Sequence, residues 1–257
     1  MAATDIDELF ARTLEGGYED EAPWDAVKAL RRIGTRQVFE KAAEWVESVE
    51  PLARARGIDV LAQLGKTTER PTNSFPEESY SVVTKALQQE REFLPLNSAI
   101  AALGHLDDAR AVPLLAAFHS HPRSEIRFSV ACALGSFPND ALSVATLLTL
   151  MQDVDGDVRD WATFALGVLG DEDSAEIRDA LFLRLNDSNA DVREEALVGL
   201  AKRHGTRGLA TLLKALEQPA ITDRIVEAAY TILGMDADRK DWSRQDYTDA
   251  LRERFRL

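Results

Sequence analysis

A hydrophobic pattern recurs along the whole chain at a nearly constant interval. Each recurrence is marked by a leucine that precedes a small residue: Leu61-Ala62, Leu103-Gly104, Leu134-Gly135, Leu166-Gly167, Leu200-Ala201 and Leu233-Gly234. Leu30 fits the same series, and apart from the step from Leu61 to Leu103 the leucines are 31 to 34 residues apart. Four positions before most of these leucines stands Ala or Gly, which allows helices to approach closely. A period of this size is typical of a helical solenoid.

Polar residues punctuate each repeat where helices should begin and end. In the segment that starts at Asp155, an N-capping aspartate precedes Val158, Ala162 and Leu166 at helical spacing, and Gly170 ends the run. The first helix of each pair is expected near residues 4–14, 36–48, 77–90, 108–120, 139–151, 173–185, 206–217 and 243–255. The second helix is expected near residues 23–33, 51–64, 93–105, 123–136, 156–169, 190–203 and 222–234. No segment shows the alternation of a strand.

The pattern therefore predicts an all-α fold, a right-handed α-solenoid of about seven helix-pair repeats that forms one domain over residues 1–257. The helix near 243–255 should cap the stack. The longer step between Leu61 and Leu103 places an insertion near residues 66–76, where Pro71, Pro76 and several polar residues predict an exposed loop.

Composition narrows the kind of partner and the compartment. Acidic residues outnumber basic ones by 44 to 30, and a net charge of −14 argues against binding to nucleic acid or to an anionic membrane. No apolar stretch approaches the ~20 residues that a membrane span needs. The acidic N-terminus lacks the pattern of a signal peptide, and the single cysteine, Cys132, excludes an internal disulfide. These features predict a cytoplasmic protein.

Two runs of residues, 157–171 (DVRDWATFALGVLGD) and 190–201 (ADVREEALVGLA), resemble HEAT repeats, and in particular the short bacterial form named after the phycobilisome lyases. The resemblance implies a structural ladder, in which a turn aspartate of one repeat meets a helix arginine of the next. The residues that would form it are Arg127, Asp157, Arg159, Asp191 and Arg193. The resemblance specifies the fold far better than the function, because this repeat serves scaffolds, immunity proteins, bilin lyases and a hydroxylase.

The residues favour a non-catalytic protein without a metal or cofactor. The related deoxyhypusine hydroxylase binds iron through His-Glu dipeptides, and none of the four histidines here precedes a glutamate. His119 and His121 alone would make a weak metal site. The sequence contains no phosphate-binding glycine loop and no nucleophile elbow.

The sequence analysis predicts an interaction scaffold whose concave face, lined by the second helices, binds a protein with a basic surface. Aromatic residues among acids are typical of such a surface. The residues predicted to form it are Phe128, Asp160, Trp161, Phe164, Glu194, Glu195, Glu227 and Tyr230. Packing of Trp161 and Phe164 between repeats is the structural alternative. The functional alternatives are a bilin-lyase-like chromophore-handling protein and an immunity-type inhibitor of a toxin, while the acidic charge disfavours a DNA glycosylase. The sequence leaves the oligomeric state open.

Overall fold

The computed structural model describes residues 5–235 and 241–256, and 69% of the chain is helical. Within those residues no strand is present. The chain divides into two compact units, residues 1–136 and 137–257. Each predicted helix is observed, with ends that differ by a few residues from the expected ones. The all-α, HEAT-like architecture of helix pairs is therefore confirmed, and the single domain stays a prediction.

The first unit contains four helix pairs. Its helices are α1 (Ile6–Arg12), α2 (Glu21–Ile33), α3 (Arg36–Val46), α4 (Pro51–Ala62), α5 (Pro76–Gln89), α6 (Phe93–Leu106), α7 (Val112–Ala116, after a 3-10 turn at Ala109–Ala111) and α8 (Ser124–Leu134). The second helices α2, α4, α6 and α8 pack side by side as one layer, and α1, α3, α5 and α7 each cover their partner in that layer. We call the second helix of each pair the B helix.

The second unit repeats this arrangement and adds a terminal helix. Its helices are α9 (Ala141–Leu150), α10 (Gly156–Phe164, extended by a π-helical turn at Ala165–Leu169), α11 (Ala175–Arg184), α12 (Ala190–Lys202), α13 (Leu209–Leu216, after a 3-10 turn at Thr206–Gly208), α14 (Asp223–Ile232) and α15 (Arg244–Phe255). The B helices α10, α12 and α14 lie side by side. Helix α15 packs on α13 and α14, close to the position predicted for a capping helix.

The column of small residues lets neighbouring helices touch through their backbones. A Cβ atom on Gly57 would lie 2.6 Å from the carbonyl oxygen of Ala42 on α3. In the second unit, a Cβ atom on Gly199 would lie 2.7 Å from the Cα atom of Gly167. Both distances are too short for a real contact, so glycine is required where these helices cross. The core that results contains the repeated leucines, all of which are buried except the half-buried Leu233.

The ends of the helices follow ordinary capping chemistry. The side chain of Asp155 accepts hydrogen bonds from the amides of Asp157 and Val158, as the sequence predicts. Ser243 and Asp246 form a reciprocal capping box at the start of α15. Gly34, with φ of 61°, ends α2 in the left-handed conformation that glycine adopts without strain. These local signals explain why the helices could be placed from the sequence.

One of the predicted ladder arginines, Arg159, pairs with an aspartate near the next B helix, but this aspartate is Asp187 and not the predicted Asp191. Arg159 forms a bidentate pair with Asp187, with both N–O distances 2.8 Å, and also donates to the carbonyls of Asp153 and Val154. Arg193 donates to the two equivalent carbonyls of its own turn, those of residues 187 and 188. Asp157 and Asp191, the predicted acids, are exposed in the first turns of α10 and α12.

This correction has a simple geometric cause. The aspartate that reaches Arg159 lies in the turn before the next B helix, four residues earlier than Asp191. Asp191 itself lies in the first turn of α12 and is exposed to solvent. Arg127 also donates to the carbonyls of its own turn, those of His121 and Pro122. The first unit has a pair of the same kind, in which Arg54 binds Glu90 with N–O distances of 2.7 and 3.1 Å.

The predicted loop near residues 66–76 is exposed only in its first part. Glu69, Arg70 and Pro71 are exposed, whereas Asn73 is only 6% exposed. The side-chain amide of Asn73 donates to the carbonyl of Leu61 at 2.7 Å and accepts from the amide of Phe75 at 2.8 Å. The expectation of an exposed loop is therefore wrong for Asn73, which is buried and supplies a hydrogen bond to the end of α4.

Candidate functional site

Seven of the eight predicted surface residues, all except Phe128, lie on the three B helices of the second unit. Helix α10 carries Asp160, Trp161 and Phe164, helix α12 carries Glu194 and Glu195, and helix α14 carries Glu227 and Tyr230. Because the B helices pack side by side, side chains at equivalent positions meet across the seams between them. We call the surface formed by Asp160, Trp161, Phe164, Glu195, Arg224 and Glu227 the α10–α12–α14 face.

Arg224, in the first turn of α14, joins the acids of this face. Its Nε atom lies 3.0 Å from Oε1 of Glu195, and its Nη1 atom donates to Oε2 of Glu227 at 2.8 Å. Its charge also lowers the pKa of Asp160. One guanidinium thus contacts two carboxyl groups and acts on a third only through its charge, which leaves the cluster with more acceptors than donors.

Two carboxyl oxygens of the face are buried without a hydrogen-bond donor. They are Oδ1 of Asp160 and Oε2 of Glu195. Burial, together with the charges of Asp191 and Asp157, raises the pKa of Asp160 to about 6. Burial, together with the neighbouring acids and against the effect of Arg224, raises the pKa of Glu195 to about 7. Both groups therefore change their charge close to neutral pH.

The aromatic residues lie directly beside these acids. The rings of Trp161 and Phe164 meet edge to face, with centroids 5.5 Å apart and an interplanar angle of 88°. The guanidinium carbon of Arg224 lies 5.3 Å from the centroid of Phe164. Trp161 is 36% exposed, while Phe164 is half-buried. Contact with Arg224 of the neighbouring helix thus accounts for part of the burial of Phe164, whereas Trp161 remains partly accessible to solvent.

The other predicted residues lie outside the α10–α12–α14 face as it is defined above. Glu194 accepts a hydrogen bond from the hydroxyl of Thr222 at 2.6 Å and lines a groove between α12, α13 and α14. That groove also contains Arg193 and Lys214, and its volume is about 350 Å³. Tyr230 is half-buried on α14, and Phe128 is half-buried on α8 of the first unit.

Sequence reasoning missed Arg224. The arginine column of the repeat has Val226 at the corresponding place in the last unit, so that unit seemed to lack the basic residue. Arg224 lies two positions earlier and reaches back to α12. A basic residue opposite a column of acids was the available signal, but the direction of a long side chain does not follow from spacing alone.

The first unit has a second buried polar cluster on its B helices. Arg56 is fully buried, and it donates from Nε to the carbonyl of Thr13 at 2.9 Å and from Nη2 to that of Tyr18 at 2.8 Å. The hydroxyl of Tyr18 lies 3.0 Å from Oδ2 of Asp59 and 2.9 Å from Oγ of Ser98. The α1–α2 loop therefore covers this cluster with its own groups.

The histidines and the cysteine make local contacts. Nδ1 of His119 lies 2.9 Å from the carbonyl oxygen of Ala116, and Nδ1 of His121 accepts from the amide of Arg123. Burial raises the pKa of Cys132 to about 12, which keeps it a thiol at neutral pH. Among residues 5–235 and 241–256, no group of three or more His, Cys, Asp or Glu side chains is arranged to hold a metal ion. Across the same residues, no helix has the length and apolarity that a membrane span requires.

Comparison with known proteins places the repeats in a family. The family of HEAT repeats matches residues 81–167 and 144–234, which together cover more than half of the chain. Protein YibA of Escherichia coli K12 is 38% identical over 106 residues, which are 41% of this chain and 37% of YibA. The alpha subunit of the phycocyanobilin lyase of Thermosynechococcus vestitus is 28% identical over 166 residues, which are 64% of this chain and 59% of the subunit. The matches thus span less than two thirds of either relative.

Solved structures share the fold. The crystal structure of Escherichia coli YibA superposes with a TM-score of 0.75 at 22% identity and covers 98% of this chain and 93% of the other. An archaeal HEAT-like repeat protein from Thermococcus onnurineus superposes with a TM-score of 0.58 at 17% identity, covering 98% of this chain and 99% of the other. With the repeat pattern, the helix pairs and the matched residues in agreement, the chain belongs to the HEAT-repeat family, whose members include phycobilisome-lyase-like proteins.

Proposed function

We propose that this protein is a non-catalytic interaction scaffold that binds a protein with a basic surface through the α10–α12–α14 face. The HEAT-repeat fold supports a scaffold, because its stacked helices present an extended surface. The observation that carries the proposal is the edge-to-face pair of exposed Trp161 and half-buried Phe164, which lies beside an acidic cluster with one arginine.

The two parts of this face have different roles in binding. The acids attract a basic partner over long distances and so increase the association rate, an effect that salt weakens. The aromatic rings lose exposed apolar area on contact and so slow dissociation. Trp161 suits this role, because tryptophan is among the residues most often found at the energetic centre of interfaces.

The test compares the proteins that purified wild-type and variant chains capture from a lysate. The face variant is Phe164→Ala with Glu227→Lys. The matched control is Leu183→Ala with Glu176→Lys, which truncates a hydrophobic side chain and makes the same change of charge on exposed residues of α11 in the same unit. Circular dichroism must be unchanged in both variants. We expect at least one protein to be retained by wild type and control but lost by the face variant, and to be released as salt approaches ~1 M.

Equal retention of every captured protein by the face variant and the control would overturn the proposal. If binding depends on Phe164 but is unaffected by salt, the face is still the binding site, but electrostatic attraction does not contribute to binding.

A second function has support from one relative. The alpha subunit of the phycocyanobilin lyase is 28% identical over 64% of this chain, so we also consider handling of an open-chain tetrapyrrole. The test is to mix the purified protein with phycocyanobilin and to record the visible spectrum after gel filtration. Co-elution with a shifted absorbance band would favour the bilin function, and elution of colourless protein would exclude it.

A further inference from the structure

We propose that the α10–α12–α14 face receives the guanidinium group of a single partner arginine, which Asp160 and Glu195 bind beside the rings of Phe164 and Trp161. This inference deepens the proposed function and rests on it, because it names the group of the partner that the face recognises.

The first step is an excess of acceptors at a buried position. Glu195 is 8% exposed, its Oε1 atom faces Arg224, and its Oε2 atom has no hydrogen-bond donor. Oδ1 of Asp160 is also buried without a hydrogen-bond donor. Buried acceptors without a donor cost about 1–3 kcal/mol each, and more for charged groups. A ligand that brings donors to these two atoms therefore gains affinity by removing an existing cost.

The second step is that the group that donates to these two oxygens should carry a positive charge. The charges of Asp157 and Asp191 raise the pKa of Asp160, and those of Glu194 and Glu227 raise the pKa of Glu195. The charge of Arg224 lowers the pKa of both groups. A cation would let Asp160 and Glu195 ionise, whereas a neutral donor would leave their mutual repulsion in place. A divalent metal ion is disfavoured, because the described residues contain no group of acids or histidines arranged to hold one.

The third step is the shape of the cation. Arg224 shows which group this surface accommodates, since its guanidinium lies 3.0 Å from Glu195, 2.8 Å from Glu227 and 5.3 Å from the ring of Phe164. A second guanidinium can repeat that arrangement on Asp160 and stack on the exposed indole of Trp161. Arginine fits this combination better than lysine, because its planar fork binds two oxygens and stacks on rings.

The fourth step is access from solvent. The side chain of Arg224 is 35% exposed, Trp161 is 36% exposed, and Asp160 is half-buried. The cluster therefore lies at the surface, and binding requires the partly exposed Arg224 to move so that the incoming group reaches the two buried oxygens. Because the two carboxyls lose protons when they bind a cation, affinity should rise between pH 5 and pH 8.

The experiment uses small probes on the full-length protein. N-acetyl-arginine-N-methylamide is titrated to about 50 mM, a range in which a Kd of ~10 mM is readily measured, and the indole NH signal of Trp161 is followed by NMR. The signal is assigned with Trp161→Phe. The citrulline analogue has nearly the same shape without the charge, and the lysine analogue has the charge without the fork. We expect a saturable shift with the arginine probe, a weaker one with the lysine probe and none with the citrulline probe.

Variants locate the binding groups. Asp160→Asn and Glu195→Gln keep the side-chain size and should each weaken binding of the arginine probe about tenfold, equivalent to about 1.4 kcal/mol. Glu176→Gln on α11 is the matched control and should leave binding unchanged. The amide spectrum of each variant verifies its fold.

The outcomes separate this inference from the proposed function. Absence of a shift, or equal shifts with the arginine and citrulline probes, would overturn the arginine receptor even if the lysate experiment identifies a partner at this face. Binding of the probe that both variants weaken would support the receptor even if no partner is lost from the face variant, in which case the proposed function alone fails.

Discussion

The two units differ in which groups surround the buried charges on their B helices. In the first unit, Arg56 donates to two carbonyls of the α1–α2 segment and its guanidinium lies 4.4 Å from the ring of Tyr18 and 4.9 Å from that of Trp24. Its Nη1 atom, which makes no hydrogen bond, lies 3.5 Å from Oδ2 of Asp59. In the second unit, the carboxyls of Asp160 and Glu195 each keep a buried oxygen without a donor.

The difference lies in what covers the helices. A loop of the chain itself covers the charges of the first unit and supplies Tyr18 as a donor to Asp59. In the second unit the acids share one arginine and lie beside a partly exposed tryptophan. A buried charge that its own chain satisfies supports the fold, whereas a buried charge that lacks a partner is a candidate for binding.

The largest expected effect is the loss of Arg56. Arg56→Met should lower the free energy of unfolding by about 3–5 kcal/mol, because it leaves Asp59 buried without its ion-pair partner. The exposed Arg12 on α1 provides the control, and Arg12→Met should change stability by less than about 0.5 kcal/mol. Denaturation with urea measures both. Similar stability of the two variants would show that the buried pair of Arg56 and Asp59 does not stabilise the first unit.

A smaller effect is expected when the first unit loses the Tyr18 hydroxyl. Tyr18→Phe keeps the ring against Arg56 but removes the hydrogen bonds to Asp59 and Ser98, so we expect a loss of about 1–3 kcal/mol. Tyr80→Phe on α5 is the matched control and should be close to neutral, because within the described residues its hydroxyl makes no hydrogen bond. Denaturation midpoints compare the two, and a neutral Tyr18→Phe would argue that water already reaches Asp59.

Both units contain ladder arginines, and substituting them measures how much an ordinary structural ion pair contributes to stability. Arg159→Lys should cost about 1–2 kcal/mol, because lysine cannot bind Asp187 through two nitrogens. Arg193→Lys should cost less, since Arg193 donates only to the carbonyls of its own turn. Equal losses from the two substitutions would mean that the carbonyl contacts, and not the carboxylate, carry the stability.

The smallest effect, with the opposite sign, is expected in the second unit. Because the pKa of Glu195 is raised to about 7 in the folded state, the folded protein binds more protons than the unfolded chain between about pH 4.5 and 7. Its contribution to stability therefore falls as pH rises through that window. Glu195→Gln should flatten this part of the pH profile and should not destabilise the protein at pH 8, whereas Glu176→Gln should leave the profile as it is. If the pH dependence of stability is unchanged in Glu195→Gln, another titrating group must cause it.

Much of the fold follows from local sequence signals, and the exceptions are contacts between distant residues. The aspartate cap at Asp155 and the glycine at Gly170 could be recognised because each acts on its immediate neighbours. The partner of Arg159 was assigned to the wrong aspartates, because the repeat gives the column of a residue but not the direction of its side chain. Asn73 was assigned to an exposed loop, because polar residues in a loop give no indication that one of them will bind Leu61.

The candidate site could be predicted only in part, because the repeat predicts which residues share a face but not which side chains contact each other. Asp160, Glu195, Glu227 and the aromatic pair share a face because their positions in the repeat are equivalent or adjacent. Arg224 could not be assigned by that logic, since it lies outside the arginine column. The role of Tyr18 was missed altogether, because it lies in a turn between two helices and binds residues 41 and 80 positions away.

The most direct test of the contrast between the units is a site-resolved NMR titration of the side-chain carboxyl groups in the full-length protein. Each signal is assigned with Asp160→Asn or Glu195→Gln, and the exposed Glu176 serves as an internal reference. If the carboxyls of the second unit lack donors, Asp160 should titrate at about 6 and Glu195 at about 7. Titration of both groups near the ordinary values of ~4 would show that solvent already satisfies them, and would contradict the central claim that this face is poised to bind a cation.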